Sequence, residues 1–171
     1  ERQTIVIIAG IVGGYMAMNI GANDVANNVG AAVGSRALTL MGALIIASIF
    51  EAMGAIVAGG DVVGTISKSI IAPEDFPNSD MFIWCMLSAL LAAGLWVNIA
   101  TIVGAPVSTT HSIVGGVVGA GIGALGFSVV NWPMMAKIAA SWVISPVLGG
   151  VIAAMFLAFI KANIIYKDDK I

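Results

Sequence analysis

Apolar runs of about twenty residues recur along the whole chain, and they restrict the possible folds more than any other feature. A helix needs about 20 apolar residues to cross the hydrocarbon core of a bilayer, whereas barrel strands are shorter and alternate strictly. Only 9% of the 171 residues are charged, against about 25% in soluble domains. The sequence therefore predicts an all-α, polytopic integral membrane protein.

The apolar runs predict about five membrane segments within residues 1–171. Glycine, proline or acidic residues separate the runs. The approximate bounds are 5–34, 38–60, 81–103, 106–127 and 133–160, with a shorter amphipathic piece at 62–71.

Charge asymmetry gives these segments an orientation. The loop 61–80 carries four acidic residues and one lysine, whereas the C-terminal end carries three lysines. Because basic residues favour the cytoplasmic side, we place the loop outside and the C-terminal end inside. This orientation requires five crossings. The alternative is a broken, re-entrant hairpin at 106–127, which would leave both termini on the same side.

A polar segment, GANDVANN at 21–28, follows the first apolar run directly. A charged group at bilayer depth costs about 2.5–3.5 kcal/mol, so this segment is expected to face protein or water and not lipid. Asn19, Asn23 and Asn27 form an i, i+4, i+8 stripe on a helix. The carboxylate of Asp24 and the asparagine side-chain oxygens are hard ligands that suit Na⁺. The asparagine amides can also donate to an anion. The alternative is a polar clamp between helices.

A second polar segment, PVSTTHS at 106–112, has the pattern of a helix start inside the membrane. A helix N-terminus offers unpaired N–H donors and a partial positive charge, and the hydroxyls of Ser108, Thr109 and Thr110 add further donors. These groups suit an oxyanion, and broken helices aimed at anions are a device of transporters. The alternative is that the hydroxyls only cap a kinked helix.

Glu51 and Asp24 are the acidic residues that bear on the chemistry of the protein. Glu51 lies inside an apolar run, where it is a cation ligand, a proton carrier or the partner of a positive group. If Asp24 touches the substrate, it favours phosphate, which carries a proton near neutral pH, over sulfate.

An intramembrane hydrolase built on Asp24, Ser108 and His111 has no Gly-x-Ser-x-Gly or paired-Asp motif to support it. The protein is therefore predicted not to be an enzyme, and its net charge of −2 gives no basic patch for nucleic acid.

The segments 21–28 and 106–112 resemble the two signatures of the inorganic phosphate transporter (PiT) family, and the resemblance covers nearly the whole chain. It implies cation-coupled uptake of inorganic phosphate, with Na⁺ in many members and H⁺ in others. It also implies two inverted repeats that each carry both motifs, with the substrate between them. Some members are sulfate permeases, so the resemblance leaves the anion open.

Residue roles follow from the same resemblance. The implied phosphate-binding residues are Asp24, Asn27, Ser108, Thr109 and Thr110. The implied cation-binding or coupling residues are Asn23, Asp24, Asn28 and Glu51, of which Asn23 and Asp24 are the expected metal ligands. The coupling ion is sodium or a proton, and no covalent cofactor is expected.

Only one copy of each motif is present, so the chain is expected to be one of the two inverted repeats, roughly half of a family member. The start at Glu1, which is not methionine, favours a piece of a longer protein. Expected partners are phosphate, the lipid bilayer and a second repeat on the same or a separate chain. The complete transporter is expected to be a homodimer in the cell membrane. A sulfate permease and a non-transporting phosphate-binding subunit are the alternatives.

Overall fold

The computed structural model describes residues 2–166, and within that range it contains five long helices and no strand. The helices are α1 (Arg2–Gly34), α2 (Leu40–Lys68), α3 (Ser79–Ile102), α4 (Thr109–Leu125) and α5 (Trp132–Ile160). Short 3-10 turns at Pro73–Asp75 and Phe127–Val129 and a π-helical turn at Lys161–Ile165 complete the described regular structure.

Four of the helices are long and apolar enough to cross a membrane. Their apolar spans are Gln3–Gly34, Leu40–Lys68, Ser79–Ile102 and Trp132–Ile165. The helix α4 is also apolar but has 17 residues, a length of about 25 Å. The prediction of an all-α, multi-pass membrane protein is therefore confirmed.

The helix α2 is longer than the sequence predicts. The apolar pattern predicts a segment end at residue 60 and a separate piece at 62–71, but one helix runs from Leu40 to Lys68. A glycine costs only about 1 kcal/mol relative to alanine in a helix, whereas each backbone group left unpaired in lipid costs several kcal/mol. The pair Gly59-Gly60 therefore stays helical. Asp61 and Lys68 therefore belong to this helix and not to the predicted external loop 61–80.

The polar segment 21–28 also lies within an unbroken helix. The helix α1 passes through Gly21 and Gly30 and ends at Gly34, two residues before Arg36 adopts a positive φ of 62°. Continuous helix places side chains four residues apart on one face, so Asn23 and Asn27 line up along α1. The shape of the backbone thus keeps their amides together.

The helices α3 and α4 form a hairpin through the linker 103–108. They approach so closely that a Cβ at Gly116 would lie 2.6 Å from the carbonyl oxygen of Ala89. Beyond α4, Val130 forms an antiparallel bridge with Ile71, just before α3 begins. The chain thus returns to the end at which α3 starts. A re-entrant hairpin would instead return it to the end at which α3 finishes.

The contacts divide the chain into two units, Glu1–Asn131 and Trp132–Ile171. In the first unit, a small core of Met16, Ala93 and Val97 joins α1 to α3. The described part of the second unit consists of α5, which continues through Pro146, and the π-helical turn after it. Both polar segments lie in the first unit.

Candidate functional site

A line of amide side chains joins α1 to α3. Asn19 and Asn23 are 2% and 5% exposed, so their polar groups need partners inside the protein. The Nδ2 of Asn98 on α3 donates to Asn19 Oδ1 at 2.7 Å, and Asn19 Nδ2 donates to the Tyr15 carbonyl at 2.8 Å. The bond between Asn98 and Asn19 clamps α1 to α3 one helical turn before Asn23.

Asn23 is the centre of the next set of bonds, one turn further along α1. Its Nδ2 donates to Thr101 Oγ1 at 3.0 Å and to the Ala105 carbonyl at 3.4 Å. Its Oδ1 accepts from Asn27 Nδ2 at 3.1 Å and from the Val107 N–H at 3.3 Å. An amide has two donor hydrogens and two acceptor lone pairs. All four are used, and a cation at Oδ1 would have to replace one of the accepted bonds.

Asp24 connects α1 to the start of α4. The Thr109 hydroxyl donates to Asp24 Oδ2 at 2.8 Å, an ordinary length for an O–H···O hydrogen bond. Thr109 is 7% exposed and Asp24 is partly buried. The bond brings a residue of each polar segment together across a sequence separation of 85. Within residues 2–166, the second oxygen of Asp24, Oδ1, accepts no hydrogen bond and remains for another partner.

The start of α4 has the form of an N-capped helix. Ser108 is the N-cap, and its hydroxyl accepts from the His111 N–H at 3.2 Å. The backbone N–H groups of Thr109 and Thr110 precede the first helical hydrogen bond, so they have no acceptor within the helix. Ser108 and Thr110 are exposed. Beside the carboxylate of Asp24, the helix therefore presents a positive dipole end and hydroxyl groups.

Two clefts border the linker 103–108. The larger has a volume of about 510 Å³ and includes Ser108 and His111. The smaller has a volume of about 260 Å³ and includes Asn23 and Asn27. Neither cleft is lined by Asp24 or Thr109, so the bond between these two residues borders neither cleft directly.

The structure does not bring every predicted residue to this place. Asn28 is exposed on α1, and Glu51 is exposed on α2 without a hydrogen bond or ion pair among residues 2–166. Asn27 is exposed, but its amide donates to Asn23 and, at 3.4 Å, to the Val107 carbonyl. Over the same range, no three His, Cys, Asp or Glu residues are grouped closely enough to hold a metal ion.

Three residues that contribute to this network were not predicted as site residues: Asn19, Asn98 and Thr101. The sequence contains a signal for each. Asn19 precedes Asn23 by one helical turn, and Asn98 and Thr101 share one face near the end of α3. Because the partners lie about 80 residues apart in sequence, periodicity alone could not pair them.

Comparison with known proteins gives consistent matches. The phosphate transporter family matches residues 20–171 of the chain. A predicted phosphate permease of Helicobacter pylori strain J99 is 55% identical over 170 residues, which are 99% of this chain and 32% of that protein. A predicted phosphate permease of Chlamydia muridarum is 46% identical over 167 residues, covering 96% of this chain and 39% of that protein.

A solved structure described as the sodium-dependent phosphate transporter has the same fold, with a TM-score of 0.90 and 47% sequence identity. The match covers 97% of this chain and 41% of that structure. The chain thus spans 32% and 39% of the two curated relatives, less than the half expected from one repeat. The hydrogen-bond network between α1, α3 and the start of α4 therefore lies in a chain that covers less than half of each of these proteins.

Proposed function

This chain belongs to the phosphate transporter family, and from that membership we propose that it forms part of a sodium-coupled symporter for inorganic phosphate in the cell membrane. The observation that carries the proposal is the 2.8 Å bond from the Thr109 hydroxyl to Asp24 Oδ2. It joins a carboxylate, able to bind a cation or a protonated anion, to a helix N-terminus able to bind an anion. A symporter needs both chemistries in one place.

On the phosphate side, we assign the anion to the start of α4. The hydroxyls of Ser108 and Thr110 and the first N–H groups of the helix are the donors. Asn27 joins them by releasing one of the bonds from its amide to Asn23 or to the Val107 carbonyl. Thr109 holds Asp24 so that Oδ1 can accept the proton of monohydrogen or dihydrogen phosphate. Sulfate has no such proton, so the carboxylate repels it. This arrangement favours phosphate over the sulfate permease alternative.

On the cation side, we assign the coupling role to Asp24, with Asn23, Asn28 and Glu51 as further predicted ligands. Sodium is supported by the name of the structural neighbour, and a proton is the alternative. A cation beside a bound anion offsets part of the desolvation cost of each. Each ion then binds more tightly when the other is present, which is the thermodynamic basis of coupling.

We further propose that the other side of the site comes from a second, inverted repeat, and that complete transporters pair as homodimers. The exposure of Asn28 and Glu51 supports a contribution from outside this chain, because buried or intramembrane polar groups need partners. Transport therefore requires the assembled transporter that contains this chain.

The test measures uptake of radioactive phosphate and sulfate into proteoliposomes that contain the assembled transporter, with and without an inward sodium gradient. We expect sodium-dependent phosphate uptake that excess sulfate does not displace. Asp24→Asn, which keeps the shape of the side chain and removes its charge, should abolish this uptake. Ser48→Ala is the control, since the Ser48 hydroxyl bonds only the Leu44 carbonyl of its own helix.

Three results would contradict the proposal or one of its assignments. Sulfate that outcompetes phosphate would identify a sulfate permease. Binding of phosphate without uptake, in a preparation whose integrity is verified, would identify a non-transporting phosphate-binding subunit. Unchanged uptake in Asp24→Asn would remove the role assigned to that carboxylate.

A further inference from the structure

The position of α1 along α3 determines whether the two polar segments can meet. Asp24 is on α1, whereas Thr109 follows α3 through a linker of only six residues, 103–108. If α3 moved along α1 by one helical turn, about 5.4 Å, the linker would carry the start of α4 with it. The 2.8 Å bond between Thr109 and Asp24 would then be lost. Some feature of the α1–α3 interface must hold this register.

The apolar part of that interface is poorly suited to the task. Met16 packs on Ala93 and Val97, and the ring of Tyr15 lies over Gly94. Small and flexible apolar groups allow helices to approach closely, but their contacts are not directional. Lipid also provides no hydrophobic force that distinguishes one register from the next.

The pair Asn19 and Asn98 is directional. The bond from Asn98 Nδ2 to Asn19 Oδ1 is 2.7 Å, and Asn19 is 2% exposed. The donation from Asn19 Nδ2 to the Tyr15 carbonyl fixes which way its oxygen points. A slip of one turn would break the bond and leave the buried amide oxygen of Asn19 without its donor, so the pair favours a single register.

A second hydrogen-bonded pair, four residues further along α1, depends on the same register. Asn23 donates to Thr101, and the Thr101 hydroxyl is oriented by its own donation to the Val97 carbonyl at 2.8 Å. Asn19 with Asn98 and Asn23 with Thr101 follow one another in the same direction, so α1 and α3 run parallel. The two bonds are about 6 Å apart along the helices. Between them they fix both the register and the rotation of α1 against α3.

We propose that Asn19 and Asn98 are positioning residues for the anion site. Their hydrogen bond sets the register of α1 against α3 and, through the linker 103–108, holds the start of α4 beside Asp24. Neither residue touches the anion. This inference rests on the proposed function only for its effect on phosphate, because the effect on the linker follows from the hydrogen bonds alone.

The test uses Asn98→Ala in the assembled transporter, with two readouts. The first is the KM and Vmax of phosphate uptake at saturating sodium. The second is hydrogen–deuterium exchange of the peptide 103–112, where the Val107 N–H reports on the linker. Ser88→Ala on the same helix is the matched control, since the Ser88 hydroxyl bonds only the Trp84 carbonyl of α3.

We expect Asn98→Ala to raise the phosphate KM by about 3- to 20-fold, the range that one interhelical hydrogen bond in a membrane supports. Vmax per folded transporter should stay within about twofold, and exchange in 103–112 should accelerate. Asn19→Ala should do the same, and the double variant should be no worse than the worse single variant. Asn98→Gln, which keeps the amide on a longer arm, should recover part of the affinity.

An unchanged KM and unchanged exchange in Asn98→Ala would overturn the proposal. So would an equal rise in KM in Ser88→Ala, because the effect would then be a general loss of packing. If Asn98→Ala does not fold, Asn98→Gln and Asn19→Ala carry the same comparison. If the parent protein takes up no phosphate, the proposed function fails, and exchange in 103–112 alone decides whether the pair positions the linker.

Discussion

Replacement of Thr109 by valine tests the contact on which the site depends. Valine has nearly the shape of threonine, so the helix start keeps its packing while Asp24 Oδ2 loses its 2.8 Å donor. Because Thr109 is 7% exposed, water has little access to replace the hydroxyl. A hydrogen bond to a charged group contributes about 1.5–3 kcal/mol. Because this bond is already present without phosphate, the corresponding factor of about 10- to 150-fold is the upper limit for the loss of phosphate binding.

The assay is equilibrium binding of radioactive phosphate to the purified, assembled transporter at fixed sodium, followed by uptake in proteoliposomes. Thr109→Ser keeps the hydroxyl and should bind phosphate within about threefold of the parent. Thr110→Val removes an exposed hydroxyl of the same type one residue later. The phosphate affinity of Thr110→Val shows how much of the loss follows from removing any hydroxyl at the start of α4.

The reasoning would be refuted if Thr109→Val bound phosphate as tightly as Thr109→Ser while both were folded to the same extent. The bond to Asp24 would then be a structural link without influence on the anion. A loss in Thr109→Val that sodium in excess fully restores would place the effect on the cation and not on phosphate.

Two further predictions concern the helices that carry the site. Gly116→Ala should lower the thermal midpoint measured in detergent, because its Cβ would lie 2.6 Å from the backbone carbonyl oxygen of Ala89 and overpacking costs about 1–3 kcal/mol. Gly115→Ala is the control and should leave the midpoint unchanged, because a Cβ there would meet nothing within 4 Å. Equal effects of the two substitutions would contradict the close crossing of α3 and α4. Gly60→Ala should be neutral or stabilising by up to about 1 kcal/mol, because the residue is helical and has open space around it. A destabilised Gly60→Ala protein would instead indicate a break in α2.

The sequence contains more information about the chemistry of this protein than about its helix boundaries. Asp24 and Thr109 were both predicted as site residues from charge and hydroxyl groups in an apolar chain. Their direct bond was not, because it joins residues 85 positions apart. At Gly59-Gly60 the sequence suggested a helix end, but the cost of unpaired backbone groups in lipid exceeds the weak helix propensity of glycine.

The asparagines of α1 also show which features the sequence predicts and which only the fold decides. Their spacing of four residues predicts a polar stripe and allows either a cation site or a clamp between helices. The choice depends on what faces the stripe, and only the fold shows that Asn98, Thr101 and the linker do so. The amide of Asn23 uses all four of its hydrogen-bonding positions within the protein, a fact that no local pattern contains.

By itself, the sequence determined the membrane class, the all-α fold and the two polar segments, because hydropathy and helical periodicity are local properties of the chain. The tertiary structure decided which polar groups meet, in which register, and which of them stay exposed. The physical reason is that a hydrogen bond between helices depends on distances of a few tenths of an ångström. Those distances are set by packing between segments that lie far apart in sequence.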